Sequence, residues 1–202
     1  MRLLELFSGS GSIGNVFKQT FEVTSLDSDP KAKATITCDI MDWDYKVYEP
    51  GYFDVIWASP PCTEFSVLKT SGTRDFAKAD GIVRRTLAII DYSRPRLFFC
   101  ENPQTGLLKT RPYMQGLPSV TLDYCKYGTP YRKRTQVWTN CSYWTPRPLC
   151  RRDCGHVIPG TWAHEFKTQR VSTKTLQTIP RELVEEIYVV CTLRLDVDFS
   201  DN

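Results

Sequence analysis

No run of apolar residues in this 202-residue sequence is long enough to cross a bilayer, which excludes a membrane-spanning helix. The start of the chain, MRLLELFSGSG, has no basic region, no extended apolar stretch and no small-residue cleavage site. A secretory leader is therefore not expected, and the protein is expected inside a cell, in the cytoplasm, nucleoid or nucleus. No internal repeat or low-complexity tract stands out. Neither sign of charge is in large excess: the net charge is +3, with 41% hydrophobic and 24% charged residues, as in one domain with a sizeable core. The cationic residues are nevertheless uneven. Arg132, Lys133 and Arg134 are consecutive, and Arg147, Arg151 and Arg152 follow, so a polyanionic partner is expected to meet the second half of the chain. In a reducing compartment the eight cysteines read as metal ligands, nucleophiles or core residues more readily than as a disulfide framework.

Strand and helix patterns alternate along the first half. Arg2 to Phe7 reads as a strand that breaks into Ser8-Gly9-Ser10-Gly11, after which Ile13, Val16 and Phe17 recur at helical spacing. Further strands are expected at Val23 to Leu26, Ala34 to Cys38, Phe53 to Ala58 and Leu97 to Cys100, with a helix over Asp80 to Ile90. This order predicts an α/β fold with a doubly wound, mostly parallel sheet, whose ligands bind beyond the carboxyl ends of the strands. Cys141 to Gln177 is rich in Pro, Arg, Cys and Trp without clear periodicity and reads as a small irregular insertion. Pro180 then opens a last helix with Leu183, Val184, Ile187 and Val190 as its apolar stripe.

The strand ends carry the chemistry. Glycines after the first strand let a ligand approach the backbone, Asp27 is placed for a ribose diol, and Asp39 is a third polar group on the same rim. No lysine follows the glycines as in a phosphate-binding loop, which disfavours ATP and GTP and leaves a nucleoside-bearing cofactor. In DVIWASPPCTEFS, Pro60 and Pro61 restrict the backbone and hold the Cys62 thiol in a rigid turn at that rim. Most cysteines are small core hydrophobes, but Cys62 beside Glu101, at the end of the next strand, reads as a nucleophile beside an acid.

The ordered motifs LFSGSG, SPPC, ENP and YGTPYRKRTQVW, over residues 1 to about 140, resemble those of the C5-cytosine DNA methyltransferases. The resemblance implies a Rossmann-like fold, S-adenosylmethionine as cofactor and double-stranded DNA as partner, with RNA also open and a monomer expected. It makes Cys62 the nucleophile toward C6 of a flipped cytosine and Glu101 the partner of ring N3 and the exocyclic amine. Arg134, or else Arg132, would contact the cytosine O2. On the cofactor side it places Phe7 and Ile40 beside the adenine, Asp39 on its amine, Asp27 on the ribose, Gly9 and Gly11 at the methionine end, and Pro60 at the same pocket. This chain departs from the pattern at Thr63, where Gln is common, at Pro103, where Val is common, at Tyr131 to Thr135, where Gln-x-Arg-x-Arg is usual, and at Gln177-Thr178, where Gly-Asn is usual.

Cys141, Cys150, Cys154 and His156 form a C-x8-C-x3-C-x-H array, with His164 as a substitute ligand, and suit one structural zinc. The expected organisation is a catalytic, cofactor-binding domain over 1–140, a Cys/Arg-rich target-recognition insertion over 141–177, and a carboxy-terminal helix in 178–202 that packs back on the first. A segment as short as 141–177 reaches few base edges, so a short or relaxed recognition sequence is expected. Two alternatives stay open. Ser59-Pro60-Pro61 is similar to the strand end of amino-methyltransferases acting on N4 of cytosine or N6 of adenine, which carry an aromatic residue where this chain has Cys62. A catalytically silent nucleic-acid-binding relative would need neither Cys62 nor Glu101.

Overall fold

Leu3, Leu4 and Leu6 of strand β1 (Arg2–Leu6) are wholly buried although successive side chains leave a strand on opposite faces. A strand that is apolar on both faces belongs in the middle of a covered parallel sheet. In the computed structural model, which describes residues 1–161, 163–167 and 171–197, β1 lies between β2 (Glu22–Asp27) and β4 (Val55–Ala58), parallel to both. β3 (Ile36–Thr37) extends the sheet beyond β2, and β5 (Leu97–Pro103) extends it beyond β4, again in parallel. The last two strands reverse the pattern. β7 (Arg134–Thr139) inserts antiparallel between β5 and β6 (Ser119–Asp123), giving a seven-stranded sheet in the order β3-β2-β1-β4-β5-β7-β6.

Helices cover both faces. On one, the short α1 (Gly14–Phe17) and the long α4 (Arg181–Val197) pack on Leu3, Val55, Trp57, Leu97, Phe99 and Val137. On the other, α2 (Phe76–Ser93) packs on Ile56, Ala58, Cys100 and Trp138. α3 (Thr173–Gln177) is a short turn of helix ahead of α4. The expected doubly wound α/β fold is therefore the one adopted. Among the described residues no helix is long and apolar enough to cross a membrane.

Several boundaries differ from the sequence reading. α2 begins earlier because Asp75 caps it, accepting from the Lys78 amide at 2.9 Å, and ends with Arg94 in the left-handed region (φ 48°) just before Pro95. β5 does not stop at Cys100. It runs on through Glu101, Asn102 and Pro103, because β7 supplies antiparallel partners Val137, Gln136 and Thr135. Cys141 and Trp144, placed by the sequence in the insertion, are buried in the core beside α4, with the Trp144 ring edge-on to Phe99 at 5.9 Å. By contrast, no described residue from 151 to 178 is buried.

Candidate active site at the carboxyl ends of the strands

The chain leaves β1 through Phe7, Gly9 and Gly11, all at positive φ (61°, 48° and 68°). Left-handed backbone is cheap for glycine but costs a phenylalanine on the order of 1 kcal/mol, so the Phe7 ring is held at the rim against local preference. Asp27, at the end of β2, anchors this loop: Oδ2 accepts from the Gly9 amide and Oδ1 from the Asp29 amide, both at 2.8 Å. Asp39 Oδ1 takes the Met41 amide at 2.9 Å and presents the buried Ile40 beside it. The Ser8 hydroxyl is buried without a partner. A cleft of about 610 Å³ opens beside the loop, lined by Ser10, Ser12, Asn15, Tyr131 and Thr178 among others. Another, of about 440 Å³, lies at the opposite ends of the strands around Arg2, Tyr52 and Asp54 and touches none of the candidate catalytic or cofactor residues.

Behind the loop, the buried Glu5 accepts the amides of Ile13 (3.2 Å) and Gly14 (3.0 Å). Burial nevertheless pushes its carboxyl up from 4.5 to about 7, against the pull of those amides. Between these pH values the folded chain keeps a proton that the unfolded chain has lost. Stability from this group is therefore present in acid and disappears as pH rises through 7. Glu5→Gln removes the titration. Its stability relative to the native chain should improve between pH 5 and pH 8, by on the order of 3 kcal/mol at full effect. Urea melts at the two pH values measure it; a pH-independent difference would refute the shifted carboxyl.

Cys62 sits half-buried in the loop after β4, fixed on both sides. The Asn102 side-chain amide donates to the Pro60 carbonyl at 2.9 Å, tying the Pro-Pro turn to β5. Three residues on from Cys62, the wholly buried Phe65 donates its amide to the Cys62 carbonyl at 3.0 Å and accepts from the Leu107 amide at 2.8 Å. Alternation along β5 divides its last residues: Asn102 serves the turn, while Glu101 leaves the other face. There the buried Glu101 Oε1 accepts from the Tyr124 hydroxyl at 3.0 Å and from Lys133 Nζ at 3.3 Å. Lys133 also donates to the Leu176 carbonyl at 2.9 Å and lies 4.7 Å over the Tyr124 ring. Burial pushes the Cys62 thiol up and the Glu101 charge adds to this, while Lys133 pulls it down. Burial, with Glu101, also raises the Tyr124 hydroxyl well above its ordinary value, so it remains a donor.

The arginines expected at the base both reach one buried carboxylate. Arg134 grips Asp123 with two bonds, of 3.0 and 2.9 Å, and Arg132 approaches the same carboxylate at 3.3 Å. Burial alone would raise the Asp123 carboxyl, but these arginines hold it below the ordinary range. The physical reason is alternation: Lys133 faces Glu101, so its neighbours on either side face Asp123. Lys133 and Tyr124, the two groups that reach Glu101, were not singled out by the sequence reading, and period-two spacing from Val137 back through Thr135 was the available signal for Lys133. Arg147, expected on a phosphate, instead bonds Glu182 at 2.6 Å and Glu186 at 3.3 Å and stacks 4.5 Å over Tyr127, strapping the chain to α4.

The Cys/His array is also composed differently. Cys125, Cys150, Cys154 and His164 bring their ligand atoms within 4.8 Å of one another. Cys141 does not join them, because its apolar surroundings hold it in the core. His156 lies instead 3.7 Å from Glu165. Of the expected ligands, Cys150, Cys154 and the substitute His164 come together, and Cys125 is added from the turn after β6.

The C-5 cytosine-specific DNA methylase family model matches residues 1–113, which include the glycine loop, Cys62 and Glu101. The chain is 33% identical to the "Probable DNA (cytosine-5)-methyltransferase" of Frog virus 3 (isolate Goorha), over 95% of this chain and 100% of that protein. It is 28% identical to the type II methyltransferase M.AgeI of Thalassovita gelatinovora, over 66% of this chain and 38% of that one. The S. pombe Dnmt2 methyltransferase shares the fold, with a TM-score of 0.54 and 14% identity over 77% of this chain and 59% of that chain. The motifs at the strand ends and the match along nearly the whole length agree, and the chain belongs to the C-5 cytosine-specific DNA methylase family.

Proposed function

We propose that this chain methylates C5 of cytosine in double-stranded DNA with S-adenosylmethionine, through a covalent Cys62 adduct. The observation that carries it is the seating of Cys62 between two backbone anchors, at a rim where Glu101 is held by Tyr124 and Lys133. The rim also fits the cofactor. Phe7 and Ile40 offer apolar contact for an adenine and Asp39 a carboxylate for its amine. Asp27 keeps lone pairs for a ribose diol, and Pro60, tied to β5 by Asn102, is the residue of the turn assigned to the same pocket. The orphaned Ser8 hydroxyl and the open backbone at Gly9 and Gly11 meet the polar methionine end. When bound, S-adenosylmethionine supplies an electrophilic methyl group.

The protein's own groups do the rest. A cytosine must leave the duplex to reach this crevice. Tyr124 and Lys133 both donate to Oε1 of Glu101, which leaves Oε2 for the pyrimidine edge at N3 and the exocyclic amine. As Cys62 sulfur bonds to C6, the displaced electron pair moves toward N3. A solvent proton relayed through Glu101 to N3 prevents negative charge from accumulating there and makes C5 nucleophilic. With the methyl group on C5, water takes the C5 proton, the electron pair re-forms C5=C6, and the sulfur leaves and recovers from solvent the proton it gave up on attack, which returns the substituted ring to aromaticity. Lys133, through Glu101 and the Cys62 thiol, takes the position next to the base that the resemblance had given to Arg132 or Arg134. Those two act through Asp123.

The segment after β7 offers few side chains to base edges, and each good bidentate contact discriminates by about 1–3 kcal/mol. Methylation is therefore expected at a site of about two to four base pairs, or with little sequence preference, and DNA binding should weaken steeply with salt. Incubation of purified protein with unmethylated DNA and S-adenosylmethionine, followed by nucleoside mass spectrometry and bisulfite sequencing, tests both statements. 5-Methylcytosine is the expected product. N4-methylcytosine or N6-methyladenine in its place would overturn the chemistry, and methylation confined to about six or more base pairs would overturn the specificity. An RNA substrate run in parallel separates the two nucleic acids.

A further inference from the structure

We propose that Cys125, Cys150, Cys154 and His164 bind one tetrahedral zinc ion, which staples the irregular segment after β7 to the turn behind the active-site tyrosine. Zinc–sulfur bonds of about 2.3 Å and a zinc–nitrogen bond of about 2.0–2.1 Å at tetrahedral angles separate sulfur from nitrogen by about 3.6 Å. His164 Nε2 lies 3.6 Å from Cys150 Sγ and 3.3 Å from Cys154 Sγ, so the donors already stand at nearly that spacing. Three thiols and one imidazole form a closed donor set, the composition of a structural site with no position left for substrate. Ion binding releases the three thiol protons and leaves a (Cys)₃His complex with one net negative charge.

The cluster has a structural task, which the surface ion pair between Lys126 and Asp153 (3.0 Å) shares only in part. From 151 to 178 no described residue is buried, and the regular pairing there consists of isolated bridges, Val157 with His164 and Phe166 with Tyr131. A segment with so little core needs a cross-link to hold one conformation. The ligands are placed to provide it: Cys125 belongs to the short helical turn Tyr124–Tyr127, and the other three belong to the irregular segment. The site also touches the arginine network, since the Cys150 amide donates to Asp123 Oδ2 at 3.0 Å, on the carboxylate that Arg132 and Arg134 grip. Residues 123, 124 and 125 thereby serve in turn the arginines, Glu101 and the metal.

Elemental analysis of protein purified under reductant and without chelator tests the assignment directly. About one zinc per chain is expected. After removal of the zinc, titration with cobalt(II) alone should produce thiolate charge-transfer and tetrahedral ligand-field bands that saturate at the same stoichiometry. His164→Gln, on an exposed segment, should lose most of the metal, as should Cys125→Ser, whereas Cys141→Ser and His156→Gln should keep it. If the reduced native protein takes up neither zinc nor cobalt, the proposal fails. It fails equally if Cys141→Ser loses the ion while His164→Gln retains it, or if the intact mass lacks thiol hydrogens because a disulfide joins cysteines of the cluster.

Discussion

Cys62→Ser should lower methyl transfer by at least about 10³-fold while leaving the fold and S-adenosylmethionine binding almost unchanged. The substitution exchanges sulfur for oxygen at a half-buried position whose backbone is held by its neighbours: Asn102 keeps the Pro60 carbonyl and the buried Phe65 keeps its bonds to Cys62 and Leu107. Nothing that seats the loop depends on the thiol. What is lost is a thiol, a stronger acid and a far better nucleophile than the serine hydroxyl that replaces it. DNA carrying 5-fluorocytosine supplies a second readout, because fluorine at C5 blocks the proton loss that would let the sulfur leave. The native enzyme should form a denaturation-resistant adduct, and Cys62→Ser should form none. Wild-type turnover by the serine variant, or an adduct to it, would dispose of the covalent mechanism.

Glu101→Gln and Lys133→Met should both slow the reaction at neutral pH, and their pH profiles should move in opposite directions. Glu101→Gln keeps the hydrogen-bonding shape but removes the acid, and general acid–base groups contribute about 10²–10⁴-fold. It also removes a negative charge that, after burial, raises the Cys62 thiol, so the rising limb of the rate profile should move to lower pH. Lys133→Met removes the cation that pulls the thiol down, so its rising limb should move to higher pH and activity should partly return in alkali. Lys133→Arg, which keeps the charge, should retain the native profile. Residues that merely pack would lower activity without moving these limbs. Parallel shifts in the two variants would show that Glu101 and Lys133 do not act on the Cys62 thiol as the geometry implies.

The features legible in the sequence were those written in consecutive residues. The glycine loop, the Pro-Pro turn ahead of Cys62 and the acidic ends of β2 and β5 each depend on local backbone preference, so residue order alone located them. The central strands were legible for a similar reason: Leu3 to Leu6 and Val55 to Ala58 are apolar on both faces, a pattern that a buried parallel strand imposes on its own composition.

Features that depend on pairing between distant segments were not legible. β6 and β7 are short and partly polar, and the antiparallel insertion of β7 between β5 and β6 is a choice of partner that neither strand encodes alone. That choice sets the register of Tyr131 to Thr135, and with it which side chain meets Glu101. Three adjacent cations were equivalent in sequence until the sheet turned Lys133 one way and Arg132 and Arg134 the other. The cysteines follow the same rule. Cys141 lay near the expected ligands along the chain, but the core beside α4 took it. Cys125, far from them in sequence, joined them because the turn after β6 faces the irregular segment. Residue order therefore determined which chemical groups the chain contains, and the tertiary structure decided which copy of each residue type stands beside which partner, because side-chain direction is set by strand register and long-range packing.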